Sequence, residues 1–125
     1  MKKLIQAAKV AREHACAHVT GYKVGAALET AKGKVYTGAN VESPSAISCL
    51  CAERVALFSA LSQGERLFKR IVTVAERKHP IPPCGFCRQT LLEFAPELEV
   101  IMANLEGKTK RSQLAELMPD AYLFE

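Results

Sequence analysis

Residues 51–63, CAERVALFSALSQ, are apolar on nearly every side when arranged as a helix, and Gly64 follows them as a C-terminal stop. A helix that is apolar all round needs other elements to cover it, so we expect it in the middle of the fold. The run RIVTVAE, residues 70–76, is mostly apolar and typical of a central strand covered on both faces. Because both elements need neighbours, the chain is predicted to fold in layers around one core.

The remaining pattern predicts the elements around this centre. A first helix over residues 2–18 carries apolar residues at helical spacing: Leu4, Ile5, Ala8, Ala11 and Ala15. The strand-like runs YKVGAALET and KVYTGANV flank the turn AKGK, which suits a hairpin. Further elements are a helix over 84–94, strands over 98–104 and 108–112, and a short helix over 112–119. This order predicts an α/β fold: a single domain, residues 1–125, with a three-layer α-β-α sandwich around a five-stranded mixed sheet.

Composition and charge narrow the function classes. The net charge of +4 is spread along the chain without a basic stripe, so we expect no nucleic-acid partner. No apolar run approaches the roughly 18 residues of a membrane helix, and Lys9 and Arg12 interrupt the apolar start, so we expect neither a membrane partner nor a signal peptide. The odd count of five cysteines argues against a disulfide framework, and we expect a cytoplasmic protein.

The stretch IPPCGFCRQ, residues 81–89, places Cys84 and Cys87 at the start of a predicted helix. Three interpretations are open: a redox pair, half of a metal site, or buried packing residues. A thioredoxin-like pair follows an early strand, whereas this pair lies two-thirds of the way along the chain. A helix N-terminus favours thiolates, and zinc takes Cys ligands in tetrahedral sites, so this segment is a good half-site for zinc.

The candidate for the other half of the zinc site is the segment CLCAERVAL, residues 49–57. Cys51 opens the central helix, and Glu53 lies two residues beyond it. This acid is either a helix N-terminal carboxylate favoured by the dipole, or a buried group that needs pairing or protonation. A cysteine, an acid two residues on and a distal Cys-x-x-Cys form the signature of zinc deaminases, in which the acid moves protons and is not a ligand.

With these motifs, the chain resembles the small homotetrameric cytidine deaminases and is similar to their relatives that deaminate blasticidin S. The resemblance covers nearly the whole chain. YKVGAAL looks like the family's Phe-x-Val-Gly-Ala-Ala strand, GANVES like Gly-Cys-Asn-x-Glu-Asn, and LMPDAY like Leu-Leu-Pro-x-x-Phe. CAER and PCGFCRQ match without departure, and together they are a specific pair.

The resemblance implies a zinc site and a reaction. Cys51, Cys84 and Cys87 would bind one Zn²⁺ per chain and leave a fourth position for water. Arg54 would hydrogen-bond a ligand sulfur and offset the charge of the thiolates; the alternative for Arg54 is a surface salt bridge. Glu53 would take a proton from water, pass it to N3 of the base and protonate the leaving amine. The expected function is hydrolytic deamination of cytidine or deoxycytidine in pyrimidine salvage.

The same resemblance implies a substrate site for a small nucleoside. Asn40 and Glu42 would hydrogen-bond the ribose, and Tyr22 would stack on the base. Ala52 is a further substrate-binding position. Tyr122 would stack from a neighbouring subunit, which implies a homotetramer with shared active sites.

Several positions depart from the family pattern and leave the substrate open. Ser43 replaces the usual Asn, Ala46 stands where the family carries a Tyr, and Tyr22 and Tyr122 replace Phe. A modified cytosine nucleoside or blasticidin S is therefore an alternative substrate. These departures leave the predicted zinc ligands unchanged.

A non-catalytic zinc-binding module is the alternative from another class. It would need a fourth protein ligand, for which Cys49 and His79 are the candidates. Otherwise we expect Cys16 and Cys49 to be small buried hydrophobic residues.

Overall fold

The computed structural model describes residues 1–124, and Glu125, the last residue of the predicted domain, lies outside that range. Eight regular elements and a short 3₁₀ helix follow the predicted order. They are α1 (Lys2–Arg12), β1 (Val24–Thr30), β2 (Val35–Ala39), α2 (Ala52–Ser62), β3 (Phe68–Ala75), α3 (Gly85–Phe94), β4 (Glu99–Asn104), β5 (Thr109–Gln113) and the 3₁₀ helix (Leu114–Leu117).

The strands form one five-stranded mixed sheet in the order β2-β1-β3-β4-β5. The β3–β4 pair is parallel and the other neighbours are antiparallel. As predicted from its apolar sequence, β3 is the central strand, and all its residues from 71 to 75 are buried. Gly33 has a φ of 92° in the turn that joins β1 to β2, which confirms the predicted hairpin.

Alternate residues of the strands point to opposite faces of the sheet and build two cores. On one face, Ile71 and Met102 pack with α2 and α3. On the other face, Val72 and Ile101 pack with α1. This arrangement confirms the predicted three-layer α-β-α sandwich.

Two glycines let helices approach the sheet closely. A Cβ at Gly38 of β2 would lie 2.5 Å from the carbonyl oxygen of Ala52 in α2. A Cβ at Gly25 of β1 would lie 2.0 Å from the carbonyl oxygen of Ala8 in α1. Both distances are shorter than side chains tolerate, so only glycine permits this packing. Gly38 therefore sets how close the start of α2 lies to the sheet.

Three predictions about elements were wrong. α1 ends at Arg12 rather than at residue 18, because the backbone at Cys16 pairs with the segment after β2: its N–H donates to Asn40 O, and its carbonyl accepts from Glu42 N. The last short helix is a single 3₁₀ turn. α2 does not lie in the middle of the fold, since it packs on the sheet with one face and leaves 40% of Phe58 exposed.

Among residues 1–124, the helices are too short or too polar to cross a bilayer.

Candidate active site

The site lies where the N-termini of α2 and α3 meet at the carboxyl end of β3. The parallel pair β3–β4 is joined by α3, which must therefore start at the carboxyl end of β3. α2 precedes β3 through a short connection and runs back along it, so its N-terminus lies at the same edge. Open α/β sheets place their ligands at this end of the strands.

The three predicted zinc ligands are brought together at this edge. Cys51 is the N-cap of α2, and Cys84 is the N-cap of α3. Their Sγ atoms lie 3.7 Å apart, and the Sγ atoms of Cys51, Cys84 and Cys87 all lie within 4.8 Å of one another. The backbone N–H of Cys87 donates to Cys84 Sγ at 3.5 Å. The positive ends of two helices therefore face this cluster of sulfurs.

The electrostatics of the cluster favour at least one thiolate. Hydrogen bonding with Cys87 lowers the pKa of Cys51 to about 5, and a hydrogen bond from Arg54 contributes in the same direction. The same hydrogen bond is the main cause that raises the pKa of Cys87, and burial of this thiol raises the pKa further. Arg54 Nη2 lies 3.6 Å from Cys51 Sγ, and Arg54 forms no salt bridge within residues 1–124. Arg54 thus faces a sulfur, as the resemblance implied.

The chemistry of this donor set fits zinc. A tetrahedral ion with Zn–S distances of about 2.3 Å holds its sulfurs about 3.8 Å apart. The Cys51–Cys84 separation of 3.7 Å is close to that value. In the described chain the group contains only the three cysteines, and neither Cys49 nor His79 joins it. A set of three protein ligands is typical of catalytic zinc sites, which keep one position for water or substrate.

Glu53 lies beside this cluster in the first turn of α2 and is only 5% exposed. Burial raises the pKa of its carboxyl group to about 7. A carboxylate favoured only by the helix dipole would stay solvated, so that alternative does not describe Glu53. A group with a pKa near neutrality can both accept and donate a proton, which is what general acid–base catalysis requires.

A cavity of about 280 Å³ adjoins the cluster and Glu53. It contains the predicted substrate residues Tyr22, Asn40, Glu42 and Ala52 in its lining. Five other lining residues were not predicted from the sequence: Val24, Thr73, Ala75, Ile81 and Pro82. Thr73 had a recognisable signal, because it is a polar residue inside the otherwise apolar centre of β3. The others look like ordinary core or loop residues in sequence.

Asn40 and Glu42 are already engaged in hydrogen bonds within the chain. The Oδ1 atom of Asn40 accepts from Val24 N, and its Nδ2 atom donates to Tyr22 O, both at 2.8 Å. Glu42 accepts from the N–H groups of Val19 and Thr20, and from the Thr20 hydroxyl at 2.6 Å. These contacts hold the loop that carries Tyr22 against the sheet. Each side chain keeps only part of its hydrogen-bonding capacity for a ligand.

Tyr122 is not among the residues that line the cavity within the described chain, and it is 67% exposed. Its carbonyl accepts a hydrogen bond from Gln89 Nε2. The prediction that Cys16 and Cys49 are buried was wrong, because both are exposed. Cys16 lies in the segment after α1, and Cys49 lies in the exposed stretch 44–50.

The chain matches the sequence model of a family described as the cytidine and deoxycytidylate deaminase zinc-binding region, over residues 1–103. It is 43% identical to a cytidine deaminase of Halalkalibacterium halodurans, covering 98% of this chain and 93% of that protein. It is 31% identical to a blasticidin-S deaminase of Bacillus cereus over 81% of this chain and 77% of that protein. The crystal structure of a cytidine deaminase from Burkholderia pseudomallei superposes with a TM-score of 0.94 at 49% identity, covering 97% of this chain and 98% of that one. With this site in this fold, the chain belongs to the zinc-dependent cytidine deaminase family.

Proposed function

We propose that this chain, acting as one cytidine deaminase-like domain, hydrolyses the 4-amino group of cytidine and deoxycytidine to give uridine and deoxyuridine with release of ammonia. One observation carries the proposal. A buried carboxyl group, Glu53, and a cluster of three cysteines line or adjoin the same small cavity. This combination provides a metal-binding site and a proton carrier in one cavity.

Cys51, Cys84 and Cys87 would hold the Zn²⁺ ion. When bound, zinc supplies Lewis acidity that lowers the pKa of a water molecule toward about 7. The guanidinium of Arg54, 3.6 Å from Cys51 Sγ, would reduce the electron donation of that thiolate and so preserve the acidity of the metal. The two helix N-termini would act in the same direction.

Glu53 would carry the protons. Its carboxylate takes a proton from the attacking water and delivers it to N3 of the cytosine ring. After the C4–O bond has formed, Glu53 takes the remaining proton from the new C4 hydroxyl group and passes it to the amine, and the C4–N bond breaks as the C4 carbonyl forms. Water is consumed and ammonia is released, so one carboxyl group serves both transfers. Burial raises its pKa to about 7, so near neutral pH the carboxylate can accept a proton and the resulting acid can give it up.

The cavity would take the nucleoside with its base near Glu53 and Ala52 and against the ring of Tyr22. Asn40 and Glu42 would use their remaining lone pairs and N–H groups on the ribose. Their contacts to the backbone of the 19–24 segment make them organisers of the site as well. An analogue that lacks the sugar hydroxyls would leave these polar groups unpaired and bind poorly.

The active form would be a homotetramer with shared sites. Two groups of exposed residues support this proposal: Phe58 on α2, and the consecutive residues Tyr122, Leu123 and Phe124 near the C-terminus. Large apolar side chains clustered on a surface commonly mark contacts between chains. Tyr122, exposed in one chain, would complete the cavity of its neighbour. The cytoplasmic location and a role in pyrimidine salvage stay predictions.

Blasticidin S or a modified cytosine nucleoside is the second candidate substrate. It is favoured by the engagement of Asn40 and Glu42 within the chain, which reduces their capacity for a ribose. The similarity to a blasticidin-S deaminase supports the same candidate. In the changed stretch, Ser43 is half-buried and Ala46 is exposed, and Ala46 has a φ of 61°.

The test is ultraviolet absorbance of cytidine, deoxycytidine and blasticidin S with purified protein that holds one zinc per chain. Rapid loss of the cytidine band, with uridine and ammonia as products, is the expected result. Conversion of blasticidin S alone would favour the second candidate. Turnover of none of the three by zinc-loaded protein would contradict the proposed reaction on these substrates.

A further inference from the structure

Phe86 is an exposed aromatic residue at an unusual place, between two of the clustered cysteines, Cys84 and Cys87. It lies in the first turn of α3 and is 67% exposed. Its ring is not free of contacts, because the guanidinium carbon of Arg54 lies 4.1 Å from the ring centroid. A cation at this distance from an aromatic face is held by the quadrupole of the ring.

Arg54 has few other partners. Its Nη2 contacts Cys51 Sγ at 3.6 Å. Its Nε is buried and finds no hydrogen-bond partner, and no carboxylate within residues 1–124 forms an ion pair with it. A guanidinium normally satisfies several donors at once. Here the orientation of this charge depends on the sulfurs of Cys51 and Cys87 and on one ring.

We propose that Phe86 is a positioning residue that holds Arg54 against Cys51 Sγ and thereby strengthens zinc binding. The ring covers one face of the guanidinium and restricts its motion, so that the charge stays directed at the thiolate. The positive charge next to the sulfur offsets the negative charge of a three-thiolate site. The inference rests on the proposed zinc site and adds a residue that acts on it through Arg54.

The first test compares zinc affinity in four proteins by competition with a chromogenic chelator. Phe86→Leu keeps an apolar side chain but removes the ring, and it should weaken zinc binding by about two- to five-fold. Phe86→Tyr keeps the ring and should retain wild-type affinity. Phe94→Leu removes another exposed aromatic residue from the far end of the same helix and should have no effect. Arg54→Met should weaken binding by about 10- to 100-fold.

A spectroscopic measurement distinguishes the positioning of Arg54 by Phe86 from a general loss of packing around the zinc site. In the cobalt-substituted protein, the thiolate-to-metal charge-transfer band reports the energy of the sulfur lone pairs. Removing the guanidinium raises that energy, so Arg54→Met should shift the band to longer wavelength. Phe86→Leu should shift it partway in the same direction, whereas Phe86→Tyr and Phe94→Leu should leave it in place.

The deciding experiment combines Phe86→Leu with Arg54→Met. If the ring acts through the guanidinium, Phe86→Leu has no further effect on zinc affinity once Arg54 is gone. An equal effect in both backgrounds, or an unchanged affinity and band in Phe86→Leu, would overturn the inference. Wild-type protein that binds one zinc but shows no coupling refutes this inference alone. Wild-type protein that binds no zinc refutes the proposed site and this inference with it.

Discussion

Replacing Gly38 by Ala tests whether the contact between β2 and α2 positions the active site. The new Cβ would lie 2.5 Å from Ala52 O and 2.6 Å from Ala56 N, both backbone atoms of α2. Real Cβ contacts almost never fall below 3.0 Å and are comfortable from 3.4 Å, so the helix must move away by roughly half an ångström to one ångström. The moved segment includes Cys51 and Glu53, which begin this helix.

That shift of the helix should lower both the free energy of unfolding and kcat. Overpacking of this kind costs about 1–3 kcal/mol, while the stiffer unfolded chain returns about 0.4–1 kcal/mol, so the free energy of unfolding should fall by about 1–2 kcal/mol. A displacement of a catalytic group by about 1 Å can lower the rate about 100-fold. We therefore expect kcat to fall by about 10- to 100-fold, which is much more than the loss of folded protein explains.

Gly25→Ala is the matched control. Its Cβ would lie 2.0 Å from Ala8 O, so it disturbs α1 at least as strongly, but α1 packs on the opposite face of the sheet from Glu53. Urea unfolding at one chain concentration and kcat at substrate saturation are measured for both variants. Gly25→Ala should lose stability and keep the kcat of its folded fraction. Wild-type kcat in Gly38→Ala, or equal losses of kcat in both variants, would refute the reasoning.

Three further predictions concern single side chains. Glu53→Gln should keep one zinc per chain by metal analysis but lose at least about 100-fold in kcat, because the proton carrier is gone; near-native turnover would exclude this role. Cys84→Ala should lose stoichiometric zinc, and full occupancy after dialysis would count against ligation. Hydrogen bonds from Thr20 lower the pKa of Glu42 below its usual 4.5, so its carboxylate stabilises the folded state above that pH and loses the effect as the pH falls through the lowered pKa. The difference in urea midpoint between wild type and Glu42→Gln should therefore be largest near neutral pH and shrink below pH 4.5. A difference that does not change with pH would show that the charge of Glu42 is not involved.

The parts of the fold that depend on local pattern could be predicted from sequence. β-type and apolar runs identified the first four strands, and the turn NLEG indicated the fifth. β3 was recognised as central because its apolar residues need cover on both faces. The extent of α1 could not be predicted, since the backbone bonds that end its helical segment are made with Asn40 and Glu42, far along the chain. The exposed face of α2 was missed for a related reason. An apolar helical sequence indicates that the helix should be buried, but it does not show whether the residues that bury it belong to the same chain.

Within the site, the residue types were predictable and their contacts were not. Spacing alone indicates that Cys84 and Cys87 share one turn of a helix, and the acid two residues after Cys51 indicates proton-transfer chemistry. Asn40 and Glu42 were predicted as substrate ligands, yet their main partners in the structure are backbone groups of the loop near Tyr22. No sequence pattern shows whether a flexible polar side chain will bond to backbone groups of its own chain or to a ligand.

The sequence by itself determined the family, the zinc-binding residue types and the order of the elements, because these depend on short-range spacing and on hydrophobic periodicity. Only the tertiary structure decided that Cys51 lies 3.7 Å from Cys84 at a sequence separation of 33, that Glu53 is buried beside them, and that the ring of Phe86 covers Arg54. These distances arise from the close packing of α2 on β2 at Gly38 and from the crossover that starts α3 at the end of β3. Packing of whole layers sets them, and no local segment contains that information.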